Sequence, residues 1–251
     1  MSPTSILITG ASSGIGEAMA LSYAKPGIAL FLSGRDRERL SDVTNRCRAL
    51  GAEAHSRRLD VTDRAMMDAW VGACNGSRPL DLVVANAGIS AGTGGNGETA
   101  EQARAIFATN VGGVMNTVLP AIEVMRPRKS GQIAIVSSLA GYRGLGGAPA
   151  YCASKAAVKA WGEGLRDWLA DDGIRVSVIC PGFVTTRLTA TNRFKMPFLM
   201  DSDRAARIII SGLAANRGRI AFPWPMAMAA WLAGALPNRL MEAVSHRLPR
   251  K

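Results

Sequence analysis

Cysteine and histidine are scarce in this sequence. Its 251 residues include four cysteines and two histidines, and no two cysteines form a CxxC pair. This spacing argues against a disulfide framework and against a structural zinc site. The sequence therefore predicts four reduced, mostly buried thiols, a cytoplasmic location and no bound metal. His55 falls in a predicted strand and His246 near the end of the chain, so neither is expected to take part in catalysis.

Long runs of one charge are also absent, although the formal net charge is +11. A basic balance of this size can reflect nucleic acid, an acidic membrane surface or an anionic ligand. Most of the cations are arginines, and they are scattered rather than clustered. Neither zinc-finger spacing nor an aromatic RNA-binding motif accompanies them, so we expect no nucleic-acid binding.

The sequence shows no secretory pattern, repeat or linker. Ser5–Thr9 is apolar but too short for the hydrophobic part of a secretory signal, and Gly10 starts a loop directly after it. No low-complexity stretch or domain boundary is visible, and 251 residues suit one α/β domain. We expect residues 1–251 to form a single domain.

Short apolar segments alternate with longer segments of helical period along the chain. Several of the short segments are apolar at consecutive positions, as strands buried on both faces should be. Alternation of this kind predicts an α/β fold, with a doubly wound parallel sheet and helices on both of its faces. The predicted strands are Ser5–Thr9, Ala29–Ser33, Ala54–Arg58, Leu82–Ala85, Gly131–Ser137, Arg175–Ile179 and Arg219–Ala221.

A glycine-rich loop, TGASSGIG, follows the first predicted strand and precedes a helix predicted at Glu17–Ala24. Gly10 permits a tight turn, Gly14 lets the backbone approach a pyrophosphate, and Gly16 lets the helix pack closely on the strand. The helix N-terminus then offers N–H groups and its dipole to the phosphates. This order is typical of a dinucleotide site; the alternative is an ordinary strand–helix turn with several glycines.

The end of the second predicted strand bears on the choice between NADP and NAD. An NAD site usually places an acidic residue here to hold the ribose 2′-hydroxyl, but Gly34 stands at that position and Arg35 follows it. A guanidinium there can pair with a 2′-phosphate. Asp36 leaves two alternatives: it holds the ribose, or it caps the helix predicted at Arg37–Leu50. We favour the cap, and therefore NADP(H) over NAD(H).

Taken in order, the glycine loop and six later motifs resemble the short-chain dehydrogenase/reductase family in its compact single-domain branch. Asp60 and Val61 resemble the family's adenine-site turn, Asn86–Gly88 its NAG motif, and Asn110 its helix asparagine. Ser137 and Ser138 resemble its strand-end serines, Tyr151–Lys155 its YxxxK motif, and Pro181 and Gly182 with Thr185 its PGxxxT turn. The resemblance covers nearly the whole chain. It implies a Rossmann-type fold, a nicotinamide cofactor and a homodimer or homotetramer, but no particular substrate.

The resemblance also implies which residues bind the cofactor. They are Gly10, Ser12, Ser13, Gly14, Ile15, Gly16, Arg35, Asp60, Val61, Asn86, Ala87, Gly88, Tyr151, Lys155, Pro181, Gly182, Val184 and Thr185.

Asn110, Ser138, Tyr151 and Lys155 form the catalytic set that the resemblance implies. Reducing a carbonyl by hydride needs a proton donor, and a free phenol with a pKa of about 10 needs a nearby cation to ionise more readily. Lys155 lies one helical turn beyond Tyr151, so its ammonium is predicted to lower the pKa of the phenol and to bond the nicotinamide ribose. Ser138 is predicted to hold the substrate oxygen, with Ser137 as the alternative, and Asn110 to hold a water that relays protons to Lys155.

Residues 186–203 are predicted to cover the substrate. The segment mixes apolar and basic side chains, which favours a mainly apolar substrate, with an acidic group as an option; the alternative is a lid that packs on its own core. The side chains concerned are Arg187, Leu188, Arg193, Phe194, Lys195, Met196, Phe198, Leu199 and Met200.

Residues 222–251 form a C-terminal extension of unusual composition. Met226–Leu236 is almost purely apolar, and a basic stretch follows it. The apolar run is too short to span a bilayer, which needs about 20 residues. Three interpretations stay open: a helix in a membrane interface with Trp224 and Trp231 at the headgroups, a contact with a partner subunit, or a cover for the active site.

These patterns together predict an NADP(H)-dependent oxidoreductase that moves a hydride between nicotinamide and a carbonyl or secondary alcohol. Two alternatives use the same fold, a non-catalytic NADP-binding sensor and a peripheral membrane protein. The intact catalytic set favours the enzyme over the sensor. A sugar epimerase or dehydratase of the longer family branch is a further alternative, but this chain lacks room for the larger substrate domain of those enzymes.

Overall fold

Seven parallel strands form one sheet at the centre of the molecule. The computed structural model describes residues 3–90, 98–190 and 196–237. The strand order is β3-β2-β1-β4-β5-β6-β7, and every neighbouring pair is parallel. The strands are β1 (Ser5–Thr9), β2 (Ala29–Gly34), β3 (Glu53–Arg58), β4 (Leu82–Ala85), β5 (Gly131–Val136), β6 (Ile174–Pro181) and β7 (Arg219–Phe222).

Helices connect the strands and cover both faces of the sheet. Asp36, Asp63 and Asp201 each begin a helix by accepting a hydrogen bond from a backbone N–H of its first turn. Thr99 and Gln102 form a reciprocal capping box. The helices are α1 (Gly14–Tyr23), α2 (Arg37–Ala49), α3 (Arg64–Ser77), α4 (Ala100–Phe107), α5 (Gly113–Met125), α6 (Pro149–Trp168), α7 (Arg187–Ala190), α8 (Ser202–Ala214) and α9 (Trp224–Ala235).

The consecutive apolar residues of the strands serve two cores. Ile6 and Ile8 of β1 belong to the core under α1, α2 and α8, whereas Leu7 belongs to the core under α3, α5 and α6. Side chains alternate between the two faces of a strand, so a strand covered on both faces must be apolar throughout. All five residues of β1 are buried. The doubly wound α/β fold predicted from this pattern is confirmed.

Strand boundaries agree with the sequence prediction to within two residues. The largest difference is at β6, predicted to end at Ile179. It continues because Cys180 and Pro181 pair with Ala221 and Phe222 of β7. Pairing with a neighbouring strand decides this boundary, and the local sequence does not reveal it.

Asp81 anchors the chain at the amino-terminal ends of the strands. Its carboxylate accepts hydrogen bonds from Thr4 N at 2.7 Å, Thr4 Oγ1 at 2.9 Å and Ser5 N at 3.2 Å. The chain is thereby fixed where it enters β1, at the opposite end of the strands from the loops that follow them.

The longest apolar helical run belongs to the core. The most apolar 18-residue window within Ala100–Arg128 has a mean hydropathy of 1.4, and the run is long and apolar enough to cross a membrane by length and composition alone. Half of the most apolar window is buried, and Val114, Val118 and Ile122 pack in the core under α3, α5 and α6. A core helix of this fold can therefore match a membrane span in length and composition.

Candidate active site

A cavity of about 470 Å³ lies at the carboxyl ends of the strands. Its walls include the loop after β1, the end of β2, the loop after β4 and the start of α6. The strand order reverses between β1 and β4, and a doubly wound sheet opens its ligand crevice at such a point.

The glycine loop has the shape that a pyrophosphate needs. Gly10 and Gly14 adopt φ values of 66° and 60°, a conformation that strongly favours glycine. A Cβ on Gly16 would lie 2.4 Å from the carbonyl oxygen of Gly10, so α1 packs against the loop more closely than alanine allows. Ser13, the N-cap residue of α1, makes no side-chain capping hydrogen bond. The N-terminus of α1 therefore keeps backbone N–H groups for an anion.

The loop after β4 is tied to the glycine loop. Asn86 donates from Nδ2 to Thr9 O at 2.9 Å and to Gly10 O at 3.2 Å. In return, Thr9 Oγ1 accepts from the backbone N–H groups of Asn86 and Ala87. These bonds hold the two halves of the sheet together where they border the cavity.

Two arginines and two aspartates surround the end of β2. Asp36 caps α2 through Arg39 N at 3.0 Å, as one of the two sequence alternatives predicts, and its carboxylate lies 2.7 Å from Arg39 Nη1. Arg35 is exposed, with Nη1 3.7 Å from Asp60 Oδ2. The Nε of Arg39 is buried and has no hydrogen-bond partner among the described residues. A buried cationic donor without a partner fits an anionic group in the adjacent cavity.

Ser138, Tyr151 and Lys155 meet at the other end of the cavity. The Ser138 and Tyr151 side chains are joined by a hydrogen bond, and Ser138 Oγ also accepts from Ala140 N at 3.1 Å. Lys155 Nζ donates to Val136 O at 2.9 Å and lies 5.8 Å from the centre of the Tyr151 ring.

Ser137, the alternative to Ser138, is placed differently. It is buried, and its hydroxyl donates to Lys155 O at 2.7 Å. Ser137 therefore fixes α6 to the end of β5, while Ser138 is the serine that meets the phenol.

Burial controls the protonation of this pair. It raises the pKa of Tyr151 to about 12, although the hydrogen bond from Ser138 acts in the opposite direction. It also lowers the pKa of Lys155 to about 8, because an ammonium loses hydration in the protein interior. The sequence predicts a lowered pKa for the phenol, whereas in this structure the loss of water outweighs the hydrogen bond from Ser138 and the pKa of Tyr151 is raised.

Asn110 lies in a π-helical turn, Ala108–Gly112, between α4 and α5. Its Oδ1 accepts from Ile89 N at 2.8 Å, and its Nδ2 donates to Ile89 O at 2.9 Å and to Ser154 Oγ at 3.1 Å. A Cβ on Gly88 would contact both Asn110 Oδ1 and Lys155 Nζ. Asn110 therefore connects the loop after β4 to α6 beside the lysine, and π-turns of this kind occur often at functional sites.

Comparison with known proteins identifies the family. The family model for short chain dehydrogenases matches residues 4–196. The chain belongs to the short-chain dehydrogenase/reductase family. An uncharacterized oxidoreductase from Myxococcus xanthus is 40% identical over 99% of this chain and 98% of its own length. The ketoacyl reductase HetN from Nostoc is 34% identical, covering 77% of this chain and 68% of its own.

A solved structure supports the same assignment. A short-chain dehydrogenase/reductase from Burkholderia phymatum in complex with NAD has a TM-score of 0.82 and 25% identity, covering 100% of this chain and 97% of that chain. The protein is therefore an oxidoreductase of the short-chain dehydrogenase/reductase family, with a nicotinamide cofactor.

Most of the residues predicted for this short-chain dehydrogenase/reductase line the cavity, and three do not. Asn110 lies behind the wall, and Gly16 lies under the glycine loop. Thr185 is exposed, whereas Thr186 lines the cavity. The placement of Thr185 is therefore corrected to Thr186, because the family's three-residue spacing after Gly182 ends at Thr186.

Several residues of the cavity wall are not among the site residues predicted from the sequence. They are Gly34, Arg39, Leu59, Ile89, Thr109, Val136, Thr186 and Thr189. Arg39 could have been predicted from the sequence, because it lies one helical turn after Asp36 and both residues emerge at the same end of α2. Ile89 and Thr109 could not, since long-range packing brings them to the wall.

The predicted lid is partly packed on the core. Met200 is buried and forms a bridge with Val184, whereas Phe198 and Leu199 are exposed. Arg187 and Leu188 line the cavity. The residues at positions 191–195, including the predicted Arg193, Phe194 and Lys195, lie outside the described residues, as do residues 238–251 with His246.

The cysteines and acidic residues add no second site to the described ranges. Cys47, Cys74, Cys152 and Cys180 are buried thiols. Within residues 3–90, 98–190 and 196–237, no group of three or more His, Cys, Asp or Glu side chains is placed to hold a metal ion.

Proposed function

We propose that this protein is an NADP(H)-dependent oxidoreductase that acts on a carbonyl or secondary alcohol of a mainly apolar substrate. The observation that carries the proposal is the meeting of Ser138, Tyr151 and Lys155 in a cavity that begins at the glycine loop. A nicotinamide bound there supplies or accepts the hydride.

The side chains of the cavity supply the proton chemistry. In the reducing direction, the Tyr151 hydroxyl donates its proton to the substrate oxygen, and the Ser138 hydroxyl donates a hydrogen bond to that oxygen. Lys155 carries the positive charge that stabilises the resulting phenolate. Asn110 fixes the loop beside Lys155, and we retain for it the predicted role of holding a proton-relay water.

The cofactor preference follows from the charges at the end of β2. The Asp36 carboxylate is engaged by Arg39, so it is a poor partner for a ribose hydroxyl. Arg35 and Arg39 both reach the cavity wall, and guanidinium groups suit a 2′-phosphate. The Burkholderia relative was solved with NAD, so the preference is a proposal for this chain's own residues.

An apolar substrate is favoured by the apolar side chains of the predicted lid. Leu188 lines the cavity, and Phe198 and Leu199, later in the same segment, are exposed. The ketoacyl reductase relative is named for a carbonyl substrate attached to an acyl chain, which agrees with this class.

We also propose that two copies associate through the α4–α5 run. Phe107, Met115 and Leu119 are large apolar side chains that this run leaves exposed. Such a concentration on one helical run marks an interaction surface.

The proposal further includes a cytoplasmic location and a single domain, in which residues 186–203 form a lid and residues 222–251 form a C-terminal extension.

The test is loss of NADPH absorbance, and separately of NADH absorbance, across a panel of ketones and aldehydes. Tyr151→Phe is expected to lower the rate by about 10²–10⁴-fold, the usual contribution of a general acid. Tyr23→Phe is the matched control, because Tyr23 is buried in α1 away from the cavity. Full activity in Tyr151→Phe would contradict the assignment. NADPH binding without turnover of any panel member would favour a sensor.

A further inference from the structure

Helix α9 is apolar on every side and places its large side chains outward. Met226, Ala227 and Ala230 pack against the buried Leu139, Val178 and Cys180. The opposite side presents Trp224, Met228, Trp231 and Leu232, a stripe at helical spacing i, i+4, i+7 and i+8. We call these four residues the outer stripe.

This arrangement is the reverse of an ordinary surface helix. A surface helix buries its large apolar residues and turns polar ones to water. Here no residue of α9 is fully buried, and Trp224 and Trp231 are 76% and 54% exposed. A contiguous exposed stripe of this kind indicates a surface that binds something apolar.

Contacts at both of its ends fix α9 beside the cleft. At its start, a Cβ on Gly182 would lie 3.3 Å from Met226 Sδ, and Gly182 lines the cavity. At its end, Arg143 Nη1 donates to Ala233 O at 3.1 Å and to Leu236 O at 2.8 Å. Arg143 follows the short 3₁₀ helix Leu139–Tyr142, which begins directly after Ser138.

The charge that follows α9 indicates what covers the outer stripe. Residues 238–251 carry Arg239, Arg247, Arg250 and Lys251 against the single acidic residue Glu242. An acidic lipid surface attracts such cations, and tryptophans favour the level of its headgroups. If a second copy covered the outer stripe, its own basic stretch after α9 would repel that of the first copy.

We propose that α9 docks the protein on an anionic lipid surface, with the outer stripe in the interface and the cleft opening beside it. An apolar carbonyl compound dissolved in that lipid then has a short path to Ser138 and Tyr151. This second statement rests on the proposed function, whereas docking does not.

Docking is tested by flotation of the full-length protein with vesicles of phosphatidylcholine and phosphatidylglycerol. We expect the wild type to float with these vesicles and less with phosphatidylcholine alone. The double substitution Trp224→Ser/Trp231→Ser should weaken binding roughly tenfold or more. Trp168→Ser is the matched control, since Trp168 is 63% exposed at the far end of α6 and stacks on Arg126; it should float like the wild type.

Two outcomes would overturn docking: the wild type stays out of the lipid fraction, or the double variant floats as well as the wild type. If the wild type does not float and the double variant also sediments with a lower mass than the wild type, the outer stripe is assigned to a second copy. Flotation involves no turnover, so its result is independent of whether the proposed function is correct.

Delivery from the lipid is tested with two ketones and NADPH. A short water-soluble ketone should be reduced equally by the wild type and the double variant. A long-chain ketone dissolved in the anionic vesicles should be reduced roughly tenfold more slowly by the double variant. If the double variant reduces each ketone as fast as the wild type does, delivery is excluded. If the double variant loses activity on both ketones, the tryptophans belong to the cleft itself.

Discussion

At the scale of single residues, burial decides the chemistry of the cleft more than spacing does. A separation of four residues shows that Tyr151 and Lys155 share a helix face, and the sequence predicts that much. It does not show how much water each group loses. In the structure both are enclosed, and burial favours the neutral form of both.

Replacing Lys155 by methionine should change how stability depends on pH. The pKa of Lys155 falls from 10.5 to about 8 on folding. Between those values the folded state binds fewer protons than the unfolded state, so the free energy of unfolding rises with pH. In urea titrations, the wild type should gain about 2 kcal/mol relative to Lys155→Met between about pH 7 and about pH 9.5. Parallel pH profiles for the two proteins would contradict a lowered lysine pKa.

Arg35 and Arg39 should select the cofactor. Charge-assisted hydrogen bonds contribute about 1.5–3 kcal/mol each, so Arg35→Met and Arg39→Met should each raise KM for NADPH roughly ten- to hundredfold. KM for NADH should change little. Arg64→Met, on an exposed side chain of α3, is the control. Steady-state kinetics with both cofactors decide; an unchanged KM for NADPH in both variants would assign the ribose to Asp36.

At the scale of elements, local steric requirements can be predicted from the sequence, whereas packing between distant parts of the chain cannot. The strand, glycine loop and α1 could be predicted because a tight turn and a close helix need glycine at Gly10, Gly14 and Gly16. The π-turn at Ala108–Gly112 could not, since one extra residue in a helical turn leaves no local pattern. Asn110 was nevertheless found, through its place in a motif order and not through its geometry.

Gly16→Ala should disrupt the cofactor loop, and Gly72→Ala should not. A Cβ at Gly16 meets the Gly10 carbonyl oxygen, whereas a Cβ at Gly72 in α3 meets nothing within 4 Å. We expect Gly16→Ala to weaken NADPH binding about tenfold and to lower the free energy of unfolding by about 1–3 kcal/mol. Gly72→Ala should raise it by about 0.5–1 kcal/mol. NADPH fluorescence titration and urea unfolding measure both; equal behaviour of the two variants would show that the loop tolerates the methyl group.

At the scale of the whole molecule, the alternation of strands and helices sets the fold, and surfaces are harder to predict. The two-sided burial of the sheet follows from consecutive apolar residues in strands such as β1. Which apolar helix is core and which is surface does not follow: α5 and α9 are both strongly apolar, yet α5 buries seven of its 13 residues and α9 buries none. Only packing against the sheet separates them.

Leu119→Glu should break the proposed association of two copies. A charge in an apolar interface loses hydration without gaining a partner, which costs several kcal/mol. Sedimentation should therefore show a lower mass for this variant than for the wild type. Leu50→Glu, on an exposed leucine at the end of α2, should keep the wild-type mass. A wild type that already sediments as a monomer would remove the proposal.

The anchoring of Thr4 and Ser5 by Asp81 has a practical consequence. The chain enters the sheet at the edge opposite the cleft, and three hydrogen bonds hold it there. A fusion partner, affinity tag or solid support joined before Thr4 would therefore sit behind the molecule and leave the cleft open. The same attachment after Leu236 would instead emerge at the end of α9 that Arg143 holds, next to the outer stripe.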